Sequence, residues 1–484
     1  MSEVFTIRPN GIQMASIKLG RMSLSPSDYR SIQEPTNSRI LSTLIHSQLK
    51  GREIGSNAYM PKSTYRFLKT VNISESYCLD ETNIEFCKRC STAIKPKNGA
   101  LLIAKDGGTQ GLGESCLYQE TPGLTDYISA GILCLEFSDE LERNYVLGVL
   151  KSKHFKEYID AITPGGSTIR HSKLLTLDYS LPWSESDIKR HAVANLVANL
   201  IDKEEKIKAK NLRIDHLIAS ELSGGLVTGT SMKVHPSRFE LMATTRLDSG
   251  LYSKLVRETD HLIMNYKGGY YHIPDFFTAN RGQNLQVSSI GESYYSDTPK
   301  NGFYRLFTNV EMTDLRTITG FRWLGNKRKL ATLPENCVML AADGMIVGRS
   351  FFFDKLPNTI TNIHPWVITA KDKTQPRYKS VFLSLFLSYL KNIGYLEKIK
   401  DKSNGGGLKA NHVEKWIRIP LFPEGLQEQI ASYYYNNVEP LDASATLAMQ
   451  KERNSKQGIF QLNMEILAIR GELEALVSDI ILNG

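Results

Sequence analysis

The residue types that could perform chemistry are scattered along this sequence, and none of them completes a catalytic motif. The stretch GGTQGLGES at 107–115 has the glycines of a phosphate-binding loop but lacks its lysine. No DPPY or NPPF tetrapeptide and no glycine motif for S-adenosylmethionine occurs, so methyl transfer by this chain is not predicted. A nuclease needs clustered carboxylates, whereas Glu204 and Lys206 fall in a helical pattern that predicts a solvated charged face. We therefore expect a non-catalytic protein without catalytic or cofactor-binding residues.

The closest approach to a metal motif is CKRC, which contains Cys87 and Cys90, with Cys78 nearby. A structural zinc site normally needs four ligands, commonly two such pairs, and neither a second pair nor a nearby histidine is present. The corresponding stretch later in the chain, LGNKRK at 324–329, has no cysteine. Ordinary free thiols are the preferred interpretation, and zinc binding by Cys87 and Cys90 stays open.

Composition places the chain among ordinary globular proteins. It has 484 residues, of which 41% are hydrophobic, which suits two to four domains. There are six cysteines, no basic-then-apolar leader, and no strongly apolar run longer than SVFLSLFLSYL. We expect a cytoplasmic protein with no membrane span and no disulfide framework.

Two stretches set basic side chains beside aromatic ones, PKSTYRFLKT at 61–70 and PKNGFYRLFTN at 299–309. Lysine and arginine bind phosphates or guanine edges, so both stretches are candidates for nucleic-acid contacts. The alternative, an amphipathic strand with a solvated face, stays open for each. The predicted DNA-binding residues here are Lys62, Tyr65, Arg66, Lys69, Lys300, Tyr304 and Arg305.

Glycine-rich turns form a second group of candidate contacts. GGSTIRH at 165–171 and NGGGLKANH at 404–412 would let main-chain amides approach a phosphate, although a turn that only leads into a strand is an equal alternative. In DGGTQG and DGMIVGR, Asp106 and Asp343 are predicted to begin tight turns. Basic and polar residues beside these turns would reach a groove of the DNA. The candidate DNA-binding residues of these turns are Lys105, Gln110, Arg170, His171, Arg349, Lys409 and His412.

An internal repeat of about half the chain links these stretches. IGSNAY recurs as IGESYY and YRFLKTVNI as YRLFTNVEM, while Asp106 aligns with Asp343, Gly165 with Gly405 and Pro182 with Pro420. The five matches keep the same order at offsets between 236 and 240 residues. The sequence therefore predicts a tandem duplication, with two copies that share a fold and present different surfaces.

Each copy ends in a short strand followed by a long helix with a three-four apolar spacing. The seam positions are Val193, Leu196, Leu200, Lys203, Ile207, Lys210, Ile214 and Leu217 in the first helix. In the second they are Leu462, Ile466, Ile469, Leu473, Leu476 and Ile480. Runs such as GALLIAKDG and NCVMLAADG, punctuated by Gly, Asn and Pro, predict strands and turns of a mixed domain in each copy. Together with the helical seams, they predict an α+β protein in which two tandem mixed α/β domains are separated by two long helices, paired as an antiparallel, pseudo-twofold coiled coil. Pro440 should interrupt the second helical region, leaving two helices there.

The predicted organisation has four segments. Residues 1–186 and 226–423 are the two mixed domains, and residues 187–225 and 424–484 are a central and a C-terminal helical spacer. Residues 187–222 and 424–484 together hold 11 of the 59 basic and 15 of the 51 acidic residues, so the rest of the chain carries 48 against 36. The positive excess therefore belongs to the predicted domains, as nucleic-acid binding would require.

The strand, proline and helix of LKANHVEKWIRIPLFPEGLQEQIASYYY at 408–435 resemble a junction in the specificity subunits of type I restriction-modification enzymes. There a target recognition domain passes into a helical spacer. GGSTIRHSKLLTLDYSLP at 165–182 is similar in the first copy, and RLDSGLY at 246–252 resembles the start of a recognition domain, with RMSLSPSDY at 21–29 as a looser counterpart. The first junction, PWSESDIKRHAVANLV, departs from the pattern because it lacks the glutamine of LQEQIA.

The resemblance implies a chain that binds double-stranded DNA without performing chemistry. Its two target recognition domains would recognise separate half-sites, and its helical spacers would set the gap and dock two modification subunits. Those partners would bring the adenine methyltransferase and its S-adenosylmethionine, and restriction-translocase subunits are further potential partners. No cofactor is expected in this chain, and the wider role would be restriction-modification or a related phage defence.

Two other hypotheses remain at this point. The chain could be a coiled-coil interaction scaffold without DNA specificity, which would explain the heptads but not the repeated basic loops. It could also be the catalytic component of a fused restriction enzyme, which the missing methyltransferase and nuclease motifs oppose.

Overall fold

The computed structural model describes residues 4–8, 29–108, 111–163, 169–232, 235–238, 242, 249–344, 346–401, 406–442 and 445–484. The chain divides into two compact units. The first unit comprises Met1–Glu205, Leu441–Glu452 and Ala468–Gly484, and the second comprises Lys206–Pro440 and Arg453–Leu467.

The first unit is built mainly from short strands with two packed helices. Its elements in chain order are β1 (Thr6–Ile7), β2 (Ser31–Ile32), β3 (Ser38–Ile40), α1 (Leu41–Leu44), β4 (Ser47–Lys50), β5 (Tyr59–Met60), β6 (Tyr65–Leu68), β7 (Glu85–Cys87), β8 (Leu101–Ala104), β9 (Asp106–Gly107), β10 (Ser115–Leu117), β11 (Thr125–Ile128), β12 (Ile132–Glu136), α2 (Glu140–Leu150), α3 (Lys153–Ile162), β13 (Arg170–His171) and β14 (Ser180–Pro182). The long helix α4 (Asp187–Gly224) follows, and its residues belong to both units.

The second unit contains a related succession of elements. They are α5 (Lys254–Met264), β15 (Tyr270–His272), α6 (Ile273–Phe276), β16 (Phe277–Arg281), α7 (Val287–Ile290), β17 (Ser293–Ser296), β18 (Tyr304–Leu306), β19 (Arg322–Asn326), β20 (Cys337–Ala341), β21 (Ser350–Phe353), β22 (Thr359–Ile360), β23 (Pro365–Ala370), α8 (Arg377–Asn392), α9 (Tyr395–Ile399), β24 (Arg418–Pro420) and α10 (Glu424–Tyr434). The chain ends with α11 (Leu447–Lys456) and α12 (Ile459–Asn483).

Each unit contains a large and a small four-stranded sheet with the same topology. The large antiparallel sheets have the strand orders β10-β8-β12-β4 and β21-β20-β23-β16. The small sheets have the orders β11-β6-β7-β5 and β22-β18-β19-β17, and in both the first pair is parallel while the others are antiparallel. The predicted mixed α/β fold with two related sheet-rich domains is confirmed.

A pair of glycines shows how closely the two units follow one plan. Gly51 follows β4 and Gly282 follows β16, the equivalent edge strand. A Cβ on Gly51 would lie 2.0 Å from the carbonyl oxygen of Ser129, and one on Gly282 would lie 1.9 Å from that of Asn362. Both carbonyls come just after the strand that pairs in parallel within the small sheet. Only glycine fits at this crossing, so the duplication extends to the backbone packing.

The core of each unit lies where helices cover the large sheet. Helix α2 packs against β10, and α8 packs against β20 and β21. Every residue from Ser380 to Leu390 in α8 is buried, as expected for a helix whose apolar residues occupy more than one face. In the first unit the main apolar cluster joins both sheets, because it includes Leu102 and Cys134 as well as Leu68 and Ile128.

The region around Pro440 is not helical, as predicted, because α10 ends at Tyr434 and α11 begins at Leu447. The described residues of 424–484 nevertheless form three helices where two were predicted, since a further break separates α11 from α12. The predicted seam residues buried along the helices include Val193, Leu200, Lys203, Ile207, Ile214, Leu462, Ile466, Leu473 and Ile480.

Within the first unit, contacts between α4 and α12 run in opposite chain directions. Lys189 Nζ lies 3.0 Å from Asp479 Oδ2, and Glu204 Oε1 lies 3.0 Å from Arg470 NH2. The partner number falls as the α4 number rises, which is consistent with the predicted antiparallel coiled coil. In the described part of the chain, no helix is both long and apolar enough to cross a membrane.

Candidate nucleic-acid interface

Arg66 was predicted to contact DNA, but it lies in the interior with 6% of its surface exposed. Its Nε donates to Asp126 at 2.6 Å, and its NH1 donates to Glu81 at 3.0 Å. Burial alone would lower the pKa of Arg66, but these two carboxylates outweigh it and raise the pKa above its ordinary value. The guanidinium is committed to an internal ion pair, so we correct the prediction and assign Arg66 a structural role.

Lys105 and His412 are also corrected, because both are buried and bonded inside their own turns. Lys105 is 5% exposed, and its Nζ lies 2.9 Å from Asp106. His412 is 4% exposed, and its Nδ1 accepts a hydrogen bond from the amide of Lys409 at 2.8 Å. These side chains stabilise the turns that the sequence correctly located.

Arg170 and Arg349 are likewise held by their own units. Arg170 NH1 lies 2.5 Å from Asp160, and Arg349 Nε donates to Asp314 at 2.8 Å while its NH1 donates to the carbonyl of Met312. Burial would raise the pKa of Asp314, but hydrogen bonds and charges from Arg349 and Lys391 outweigh this and lower it. The geometry favours a structural role for both arginines over the predicted DNA contact.

The glycine turns keep two exposed candidates, although each has an acidic neighbour. His171 Nδ1 lies 2.9 Å from Asp106, and Lys409 Nζ lies 2.5 Å from Asp401. Gln110 and the glycines at 165, 166 and 405 lie outside the described residues, as do most of RMSLSPSDY and the first three residues of RLDSGLY.

Backbone pairing corrects the alignment of the two glycine turns. Asp106 pairs with His171 in the first unit, and Asp343 pairs with Gly407 in the second. The offset at this point is therefore 236 residues, not the 240 that matching the glycines suggested. Glycines recur along the turn, so their match alone did not fix the register.

The remaining predicted residues lie on or beside the small sheets. Tyr65 stacks on Tyr127 with ring centroids 5.8 Å apart, and the hydroxyl of Tyr304 accepts a hydrogen bond from the amide of Leu330. Lys69 Nζ pairs with Glu85 at 2.8 Å. Lys62 and Lys300 are exposed and Arg305 is half-buried, so their roles in DNA binding stay predictions.

A basic turn that sequence analysis passed over follows the third strand of both small sheets. Lys88 and Arg89 follow β7 directly, and Lys327, Arg328 and Lys329 follow β19; all five side chains are exposed. Arg328 NH1 also donates to the carbonyl of Ser289 at 2.9 Å. The sequence contains the basic residues as KR within CKRC and KRK within LGNKRK, but these two stretches were considered only as zinc ligands.

The cysteines of CKRC have different environments. Cys87 lies in β7, and burial raises the pKa of its thiol. Hydrogen bonding to Thr92 lowers the pKa of Cys90. Among the residues that the structure describes, no group of three or more His, Cys, Asp or Glu side chains is arranged to hold a metal ion.

Glu204 was predicted to lie on a solvated face, and this interpretation is wrong. It is 8% exposed and accepts hydrogen bonds from the amides of Tyr77 at 2.7 Å and Cys78 at 3.1 Å. The guanidinium of Arg470 lies against its other oxygen. Through these hydrogen bonds, Glu204 holds the loop at 74–78 against helix α4.

Comparisons with known proteins give matches among solved structures only. No protein-family model and no curated protein matches the sequence. The crystal structure of a type I restriction-modification system S subunit from M. genitalium is 14% identical, with a TM-score of 0.43, and the match covers 93% of this chain and 96% of that one. The HsdS subunit from Thermoanaerobacter tengcongensis is 14% identical, with a TM-score of 0.27 and coverage of 93% and 98%. A structure on complex assembly and conformational transition of the type I R-M system is 13% identical, with a TM-score of 0.29 and coverage of 94% and 100%.

Proposed function

We propose that this chain is the specificity subunit of a type I restriction-modification or related phage-defence system. It recognises a bipartite double-stranded DNA target and performs no chemistry itself. One observation carries the proposal: both units repeat the same two-sheet fold, and each places an exposed basic turn after the third strand of its small sheet.

The basic turns are suited to phosphate contacts. Lysine and arginine that neutralise phosphates release counterions, which supplies affinity without sequence preference. Sequence preference then depends on the side chains around each turn, and these differ between the units. Phe86 precedes the first basic turn in β7, whereas Trp323 occupies the equivalent place in β19. Two unlike surfaces on one scaffold support recognition of two unlike half-sites.

The same duplication supports docking of two identical partner subunits. A short turn of 3-10 helix displays an exposed valine at the equivalent place in each unit: Val71 is 70% exposed and Val310 is 76% exposed. A polar side chain in each turn, Asn72 or Glu311, bonds back to the amide three residues earlier. Two surfaces that bind identical copies of one partner must resemble each other. We therefore assign these turns to the interface with the two modification subunits. Those subunits would carry S-adenosylmethionine.

The test is binding of the full chain to random-sequence duplex DNA at several salt concentrations. We expect affinity to fall steeply with salt, and we expect Lys327→Gln combined with Lys329→Gln to reduce the slope of log affinity against log salt by about 2. The matched control is Lys254→Gln combined with Lys373→Gln, which removes two exposed charges outside the small sheet. Salt-independent or absent binding by the wild-type chain would favour the scaffold hypothesis.

A further inference from the structure

One face of the small sheet in the second unit combines aromatic rings with an arginine. Arg305 in β18 lies directly opposite Trp323 in β19. Its guanidinium carbon is 5.7 Å from the Trp323 ring centroid and 5.8 Å from that of Phe321. Phe303 reaches the same face over Gly325, where a Cβ would lie 2.6 Å from its ring. The missing side chain at Gly325 lets this ring approach the strand.

The margin of the sheet adds exposed rings and charges. The edge strand β17 carries Tyr294 at 59% and Tyr295 at 53% exposure. Tyr294 lies opposite Gly325 and so belongs to the face of Trp323, and Lys300 lies 5.8 Å from the ring of Phe303. Tyr295 lies opposite Leu324 on the other face, where Arg322 is 5.4 Å from its ring. Removing the apolar surface of exposed aromatic side chains from water lowers the free energy. Their concentration at this sheet therefore indicates a binding surface.

Among the residues that the structure describes, the first unit lacks the matching free arginine, because carboxylates neutralise Arg66. Arg66 occupies the place of Arg305, and its strand neighbour is Asp126, which is 4% exposed. The corresponding neighbour of Arg305 is Thr359. Within the described residues, Arg305 forms no ion pair with a carboxylate and instead lies against the rings of Phe321 and Trp323, so the arginine at this place remains available to a ligand only in the second unit.

We infer that this face of the second unit binds unpaired nucleobases, either a single strand or nucleotides extruded from a duplex. Aromatic rings and guanidinium planes stack on bases, but within a duplex the flat faces of the bases are covered by their neighbours. The basic turn Lys327–Lys329 continues the strand that carries Trp323 and would hold the accompanying phosphates. The inference rests on the proposed function for its ligand class and adds a second mode of binding to it.

The test measures binding of the full-length chain to a labelled oligothymidylate strand and, separately, to a duplex. We expect the strand to bind and Trp323→Leu to weaken that binding by about tenfold or more. Trp323→Phe keeps a ring and should restore most of the affinity, which separates loss of stacking from loss of folding. Phe276→Leu is the control, because Phe276 is an exposed ring (47%) outside the small sheet, and it should leave strand binding unchanged.

The outcomes separate the inference from the proposed function. Duplex binding without strand binding overturns this inference alone, as does a Trp323→Leu variant that binds the strand like wild type. Equal losses in Trp323→Leu and Phe276→Leu would also overturn it. Strand binding without any duplex binding contradicts the proposed function and leaves the stacking surface supported.

Discussion

At the residue scale, equivalent arginines of the two units have different environments. Arg66 and Arg305 follow a tyrosine in equivalent strands and occupy the same register against their antiparallel neighbours. Asp126 and Glu81 hold the first arginine in the interior, whereas rings surround the second. A buried ion pair binds its two members to each other and leaves neither for a ligand.

This difference predicts that substitution by alanine affects stability at Arg66 and DNA binding at Arg305. Arg66→Ala leaves the Asp126 carboxylate buried without its cation, so we expect a loss of about 3–5 kcal/mol in unfolding free energy. Arg305→Ala should cost roughly 1 kcal/mol or less and should weaken DNA binding. Denaturant unfolding and DNA titration of both variants provide the measurement. Equal destabilisation of the two would contradict the distinct roles.

Sequence patterns located the candidate strands and turns but not the burial of individual cations. The YR pairs at 65–66 and 304–305 look alike, and nothing nearby distinguishes them. The distinction comes from the parallel neighbour about 60 residues later, which supplies Asp126 in one unit and Thr359 in the other. A long-range strand pairing therefore decides which arginine reaches solvent.

At the element scale, each unit fastens an equivalent loop to the long helices by polar groups. In the first unit Glu204 accepts from the backbone of the loop at 74–78. In the second, the side chain of Asn463 exchanges two hydrogen bonds with the backbone of Ile318, and Asn211 accepts from Arg316 at 2.6 Å. Such bonds fix an orientation more strictly than apolar packing does, because donors and acceptors left unpaired in the interior are costly.

Loss of this attachment should be measurable in the first unit. Glu204→Ala removes the acceptor for two amides and for Arg470, so we expect a loss of at least about 1–3 kcal/mol in unfolding free energy. Glu204→Gln retains an acceptor and should cost less. The control is Glu472→Ala, an exposed acidic residue on α12. Thermal unfolding that is equal for Glu204→Ala and Glu472→Ala would refute the role assigned to Glu204.

The exposed valine turns predict the number of partner subunits bound. Val71→Asp and Val310→Asp should each leave one modification subunit bound, and the double variant should leave none, because an aspartate cannot be desolvated cheaply in an apolar contact. Val287→Asp is the matched control, since Val287 is 68% exposed in a separate element. Native mass spectrometry counts the subunits; full occupancy of the double variant would exclude these turns from the interface.

At the scale of the whole molecule, the duplication is the feature that the sequence revealed best. Five short matches at nearly constant offset were enough to predict two related domains, and the missing amide hydrogen of Pro440 predicted the non-helical stretch there. Their exact pairing was less predictable, because short insertions change the offset between matches and glycine-rich turns align in several registers. Strand pairing resolves this, and it shows that a basic turn follows the third strand of the small sheet in each unit.

The central claim is that the two units recognise two different half-sites, and selection of bound duplexes from a random library by the full chain tests it most directly. The account predicts a consensus of two short blocks of unlike sequence separated by a fixed stretch without preference. In the same selection, Arg305→Gln should alter only one block. A single contiguous consensus, or no enrichment from a chain that binds duplex DNA, would contradict the account.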